Sequence, residues 1–307
     1  MKLDNPPFFK PLTGLFEPSA IQQLPDGRFL VVEDEKQHAF SVVTLDAEGC
    51  ASSTSLSPGW FHGGEAIWNL DDLEGLTLDQ AGFVYAVTSH SRDDDGDEKK
   101  SRDKLARFRV EGNRIIQPVV FSGLKRALLA AHPLLERAAG IQDVKTGGGL
   151  NIEAIEITPD QQRLLIGFRS PLEGHQALIA SVENPAAIFE SGEPPQVGAT
   201  LQALDLGGHG IRGMTHLASL GGYLIISGPA QRQKHDFGLW LWSGQPAAPA
   251  RRVSVAGLKG FENAEGICPA LINGIQKIII VSDDGDRENG RCERFVLLDP
   301  VQLQPAS

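Results

Sequence analysis

The chain has three cysteines in 307 residues, Cys50, Cys268 and Cys292. None forms a CxxC pair and the number is odd, so the sequence indicates neither a disulfide framework nor a thiolate zinc site, and reduced thiols are expected. The common catalytic signatures are absent as well. There is no GxSxG elbow, no HExxH helix and no GxGxxG after a strand, which removes the usual serine-hydrolase, zinc-protease and dinucleotide-binding readings and indicates no organic cofactor. No apolar run approaches the ~18 residues of a membrane span. The start MKLDNPPFFK, with two prolines and no apolar stretch, does not read as a secretory signal, so a cytoplasmic location without a membrane partner is expected. Positive charge is also scarce. At a net charge of −11 the protein as a whole repels nucleic acid and favours cations.

With 41% hydrophobic and 22% charged residues the composition is that of an ordinary globular protein. Its 34 glycines against 2 methionines suggest many tight turns and little helix. The stretch DDLEGLTLDQAGFVYAVTSHSR, Asp71 to Arg92, has a polar entry, a strand from Leu73, a turn at Asp79 to Gly82, a second strand and a charged exit. The same plan recurs from Glu17 to Glu35, Asn151 to Ser170, Gly210 to Gly228 and Asn263 to Gly285. Superposing the copies places Ser19, Glu74, Glu153, Arg212 and Glu265 at one position, roughly 50 to 80 residues apart, a spacing that implies an array of strand units such as propeller blades. The expectation is an all-β, five-bladed β-propeller over residues 1–307, with six blades as the alternative.

Outer strands are expected at Ala39–Leu45 and about Ser52–Leu56, Leu105–Val110 and Ile115–Phe121, Ala177–Val182 and Ala199–Leu206, Leu239–Trp242 and Arg251–Val255, and Arg294–Leu298. Residues 8 to 16, FFKPLTGLF, resemble the segments that end later repeats and should supply the outer strand of the last blade, closing the ring. The tail after Pro300 reads as dispensable. Between Ser89 and Lys104 the charge density predicts a solvated loop. Its DDDGD only partly fits a calcium loop, with Ser91 and Arg102 where acids belong. Residues 123–150 read as a helical insertion, Leu124 to Ala139 with Pro133 opening a second helix, followed by a flexible TGGG hinge at Thr146 to Gly149. This insertion is a candidate lid.

In a propeller the inner strands line a channel, and their starts share a rim with the loops from second to third strands. On that rim the sequence collects Glu74, Glu153, Arg212 and Glu265, with Asp72, Asn151 and Asn263 two residues earlier and therefore expected on the same strand face. The loops add Glu33 and Asp34, His90 and Arg92, Arg169, Lys234 and His235, and Asp283 and Asp284; the connections add His62 and Glu65. Three glutamates facing one channel require a cation, a shared proton or Arg212 to offset their repulsion. Glu74, Glu153, Glu265, Asp72, Asn151 and Asn263 are the candidate metal ligands, an all-oxygen set suited to calcium or magnesium. His90, Arg169 and Arg212 are the candidate catalytic groups. The other reading makes the glutamates structural, bonded to backbone and to Arg212.

The motifs DLEGL at Asp72–Leu76, SHSR at Ser89–Arg92, NIEAI at Asn151–Ile155, LLIGFRSP at Leu164–Pro171 and NAEGI with VSDDG resemble an uncharacterised bacterial family, domain of unknown function 3616. More distantly, the EG pairs resemble phytase-like and esterase-like propellers and the gluconolactonase and paraoxonase group. That distant likeness would imply a channel calcium held by an EG-type glutamate, the position matched by Glu74, Glu153 and Glu265. Two functions follow as expectations. One is metal-assisted hydrolysis of a small ester, lactone or phosphoester. The other is a non-enzymatic propeller holding a small molecule or a protein partner at its rim.

Overall fold

The computed structural model describes residues 7–34, 39–46, 49–57, 66–231, 237–258, 260–261, 263–287 and 289–306. Strand β1 (Lys10–Leu12) precedes blade one, formed by β2 (Pro18–Gln23), β3 (Phe29–Glu33), β4 (Phe40–Leu45) and β5 (Ala51–Ser55). Blade two holds β6 (Leu73–Leu78), β7 (Val84–Thr88), β8 (Leu105–Glu111) and β9 (Arg114–Phe121). Helices α1 (Leu124–Ala131), α2 (Pro133–Ala139) and α3 (Val144–Gly147) follow. Blade three has β10 (Asn151–Ile157), β11 (Leu164–Ser170), β12 (Gln176–Val182), the helix α4 (Pro185–Glu190) and β13 (Gln202–Asp205). Blade four has β14 (Gly210–Leu217), β15 (Gly222–Gly228), β16 (Gly238–Trp242) and β17 (Arg251–Val255); blade five has β18 (Ala264–Ile272), β19 (Ile275–Ser282) and β20 (Glu293–Leu298). The chain ends on β21 (Leu303–Pro305).

Every sheet is an antiparallel meander, and β1 pairs with β20 as the outer strand of blade five. The ring therefore closes as expected from residues 8 to 16. Five apolar clusters hold it together, one between each pair of neighbouring blades. Blades one and five meet through Leu12, Ile21, Phe29, Cys268 and Phe295, and blades three and four through Leu165, Ile211, Tyr223 and Trp242. Five interfaces in a closed cycle settle the architecture at five blades. Because each sheet is covered on both faces, its second strand loses the usual alternation: all of Phe29–Glu33 and Val84–Thr88 is buried. This matches the continuous apolar runs that mark strands covered on two sides.

The tail departs from expectation. Asp299 caps a single turn with a reciprocal bond to Gln302, and β21 then adds antiparallel to β17, pairing Val253 with Pro305 and Val255 with Leu303. Blade four thereby has five strands, and the edge that β17 would expose is covered. Strand β13 is also shorter than expected, Gln202–Asp205. The chain before it turns through α4, opened by Pro185, and buries Ile188 and Phe189 against blade two.

The insertion forms a wall of the rim. Leu124, Leu128 and Leu135 are fully buried in the interface of blades two and three. Its glycine run follows a short capped turn and packs at two of its positions. Asp143 caps α3 through the Thr146 amide, an added Cβ at Gly147 would come within 2.7 Å of Ile141, and one at Gly149 within 3.1 Å of Val144.

Candidate functional site

The position singled out by the repeats proves to be a β-bulge in every blade. Along each inner strand the register slips by one residue between Pro18 and Ala20, Leu73 and Gly75, Ile152 and Ala154, Ile211 and Gly213, and Ala264 and Ile267. The residues caught in these slips are Ser19, Glu74, Glu153, Arg212 and, with Gly266, Glu265. A bulge re-aims a side chain and terminates regular pairing, so the five are set at the mouth of the channel. Directly below them the inner strands close together. An added Cβ at Gly213 would lie 2.2 Å from the carbonyl oxygen of Glu265, and one at Gly266 would lie 2.8 Å from the Ala20 backbone. At Gly213 and Gly266 glycine is thus required by strand-to-strand contact, whereas blades one and three accommodate Ala20 and Ala154 there, and the channel keeps only about 10 Å³ at this level.

The charged residues at the mouth divide into two groups. In the first, Glu153 accepts from Arg169 Nη1 at 3.0 Å, Arg212 Nη1 at 3.1 Å and Asn151 Nδ2 at 2.9 Å. Arg212 also bonds Glu265. Glu153 and Glu265 are buried, and guanidinium groups compensate them. In the second group, Asp72 accepts from Ser89, from Ser91 Oγ at 3.1 Å and from Arg102 Nη1 at 3.1 Å. Glu74 stands between the groups. Burial, then Glu153, Asp72 and Asp34, push its carboxyl well above the ordinary range, with Arg212 opposing. Asp34 is pushed up to about 8 by burial and by a carboxyl–carboxyl contact with Asp72.

Above these groups lies a cleft of about 680 Å³, lined by Asp34, Asp72, Glu74, Arg102, Asn151 and Arg169 among others, with the charged loop and α3 as its far wall. Asn151 is 8% exposed and its Oδ1 has no hydrogen-bond partner among the described residues.

Several residues fall elsewhere than expected. Asp72 and Asn263 have left-handed backbones, φ 63° and 56°, and precede their strands, so strand alternation does not place them. Asn263 is exposed and its carbonyl holds the Asp283 amide at 2.7 Å. His90 is also left-handed, φ 57°. It is buried against the Thr88 carbonyl at 2.9 Å, with Asp103 3.5 Å from Nε2, and burial lowers its pKa. Its imidazole is not among the groups lining the cleft. Ser89 to Ser91 are buried, while from Asp94 to Lys100 every residue but Gly96 is exposed, as a solvated loop requires. There Asp93 accepts from the Asp95 and Asp97 amides at 3.1 and 2.8 Å and pairs with Lys99 at 2.8 Å, so it stabilises its own turn. Glu33 holds the Phe16 amide at 2.9 Å. His62, Glu65, Lys234 and His235 lie outside the described residues.

Glu156 was not singled out by the sequence. Buried toward the opposite rim, it accepts from the His216 amide at 2.7 Å and Thr77 Oγ1 at 2.9 Å, joining blades two, three and four, and burial pushes it up to about 7. Its position in the apolar run NIEAIEI was the available signal.

A family described as a protein of unknown function, DUF3616, matches residues 126–299. No curated protein matches the chain. Among solved structures, a β-fructofuranosidase from Bombyx mori, in complex with sucrose, is 9% identical at a TM-score of 0.51, over 98% of this chain and 65% of that one. A β-1,3-galactosidase with galactodeoxynojirimycin is 10% identical at 0.51, over 96% and 97%. A putative oxidoreductase (glucose dehydrogenase) of Thermus thermophilus is 16% identical at 0.48, over 95% and 100%. At these identities the likeness concerns the propeller fold.

Proposed function

The chain belongs to the DUF3616 family of proteins of unknown function, and from the chemistry of its rim cleft we propose that it hydrolyses a small neutral ester or lactone. The observation that carries this reading is the contrast between neighbouring carboxyl groups. Burial and acidic neighbours push the Glu74 carboxyl well above the ordinary range, while Glu153, in the same cluster, is bonded by two arginines and an asparagine. Carboxyl groups whose environments separate their protonation states are the usual arrangement for proton donation near neutral pH.

In this mechanism a water attacks the carbonyl carbon and the Asp34–Asp72 pair accepts its proton. Arg169, whose guanidinium faces the cleft, stabilises the oxygen of the tetrahedral intermediate. The C–O bond then breaks as Glu74 protonates the leaving oxygen, giving an acid and an alcohol. His90 takes no part because its ring is buried away from the cleft. A phosphoester is the poorest of the three substrate classes, since the lining includes Asp34, Asp72, Glu74 and the aspartates of the loop, which repel a dianion.

A panel of lactones and aryl esters tests the reading. Turnover by the wild type is expected, with Glu74→Gln lowering kcat by ~10²-fold or more at unchanged melting temperature. No turnover of any compound would overturn it and leave the ligand-binding propeller.

One observation favours a second reading with calcium or magnesium: the unpartnered Asn151 Oδ1 beside Asp72 and Glu74 forms an all-oxygen donor set. The fit is incomplete. Among the described residues no group of three or more His, Cys, Asp or Glu is placed to hold an ion, and Glu153 and Glu265 are committed to arginines. A melting temperature that does not move with millimolar calcium or magnesium, in wild type or Asp72→Asn, would remove this reading.

A further inference from the structure

Beside the acidic cleft lies a second compartment of similar size, about 690 Å³, reached past Ser170 and Ala230, which line both. Its lining is of a different kind. Among the described residues no Asp, Glu, Lys or Arg contributes to it, although the adjoining cleft contains all but lysine. Backbone forms much of the wall. Gly148, Gly174, Gly207 and Gly208 all have left-handed φ, from 63° to 81°, and an added Cβ at any of them would meet no atom nearer than 3.7 Å. Peptide groups therefore face the space without side chains over them. Four residues supply polar side chains, Ser170, His175, His209 and Gln231, and Leu172 with two prolines supplies apolar surface. Arg169 ties the two compartments together. It bonds Glu153 on the channel side at 3.0 Å and the Pro229 carbonyl on the partition side at 3.1 Å.

We propose that the two compartments are joined subsites for one elongated ligand, and that the second takes an uncharged, hydroxyl-rich portion of carbohydrate type. Each space is by itself within the ~300–1,000 Å³ that encloses a whole small ligand, so a single-ring lactone would fill only one. Glycine-lined backbone and polar side chains donate to and accept from hydroxyl groups, whereas among the described lining residues an ionic portion would meet no Asp, Glu, Lys or Arg as counter-charge and be desolvated at a cost. The assignment deepens the hydrolytic reading by naming its substrate class, but a binding measurement tests it independently of turnover.

The kinetic probes are glucono-δ-lactone and maltobiono-δ-lactone, which differ by one glucosyl unit. The wild type is expected to favour the glycosylated lactone by ~10-fold or more in kcat/KM, within the range that one bound group supplies. Gln231→Trp, which fills the second compartment, and His175→Ala, at an exposed position, are expected to abolish that preference while leaving glucono-δ-lactone unaffected. Equal rates for the two lactones in the wild type, or equal losses on both in the variants, would overturn the proposal. If neither lactone is hydrolysed, calorimetric titration with maltose, cellobiose and lactose decides. Binding that Gln231→Trp removes upholds the compartment while the hydrolytic reading fails. Absence of binding by all three disaccharides overturns the compartment as well.

Discussion

Arg212 of blade four reaches both carboxylate oxygens of Glu153 in blade three, Nη1 to Oε1 at 3.1 Å and Nε to Oε2 at 3.0 Å. The same guanidinium bonds Glu265 of blade five, so one side chain bridges three blades at the channel mouth. Removing it leaves two buried carboxyl groups without their shared cation. Arg212→Met is expected to lower unfolding stability by about 3–5 kcal/mol, measured by urea denaturation at pH 7.5. A loss below 1 kcal/mol would mean that the bridge contributes little.

Glu156 should make stability depend on pH. Its folded-state value of about 7 lies above the ordinary 4.5, so the folded protein binds the proton more tightly than the unfolded chain. The resulting stabilisation is complete below pH 4.5 and is lost as pH rises through 7, by about 3 kcal/mol in all. Glu293, also pushed up to about 7 by burial, acts in the same window. Glu156→Gln is expected to flatten the decline between pH 5 and 8 without abolishing it. Identical pH profiles for variant and wild type would contradict this.

The glycines after the bulges rank themselves by distance. A Cβ at Gly213 would lie 2.2 Å from a backbone oxygen, while one at Gly75 would lie 3.0 Å from Ile155 and Val87 atoms. Gly213→Ala is therefore expected to cost ~3 kcal/mol or more and Gly75→Ala ~1 kcal/mol, the span of overpacking effects. Calorimetric melting of the two variants checks the order.

Ending the chain after Asp299 removes β21 and uncovers the edge of β17. A lower melting temperature is expected, with about 2–4 °C lost per kcal/mol in a chain of this order of size. Concentration-dependent light scattering should rise as well, because an open strand edge templates pairing between molecules. A truncated chain as stable and monodisperse as the full one would restore the reading of the tail as dispensable.

The blades were legible because the inner strands repeat a polar entry, in four of five an ionisable residue, and in three of five a following glycine, and this pattern is local. The alignment found Ser19, Glu74, Glu153, Arg212 and Glu265 without identifying them as bulges, since a slip in register depends on the partner strand. The pairing of Arg212 with two glutamates was foreseeable in kind from charge alone. The contact of Asp34 with Asp72 was not, because those residues belong to different blades and meet only when blades one and two pack. His90 misled for a related reason. A charged loop suggested exposure, but a left-handed backbone turned its imidazole into the protein. The tail strand escaped notice because Leu303–Pro305 is short and its partner lies in another repeat.

The five bulges also bear on how far the blades could have remained alike. Five identical copies of an EG-type blade would bring five glutamates face to face around one axis, an arrangement that no single counter-charge could neutralise. Serine in blade one and arginine in blade four are the departures that make the remaining three acids tolerable together. Divergence among the repeats is thus a condition of the ring's assembly, and exchanging blade four for a copy of blade two would fail on electrostatic grounds even if every strand paired correctly.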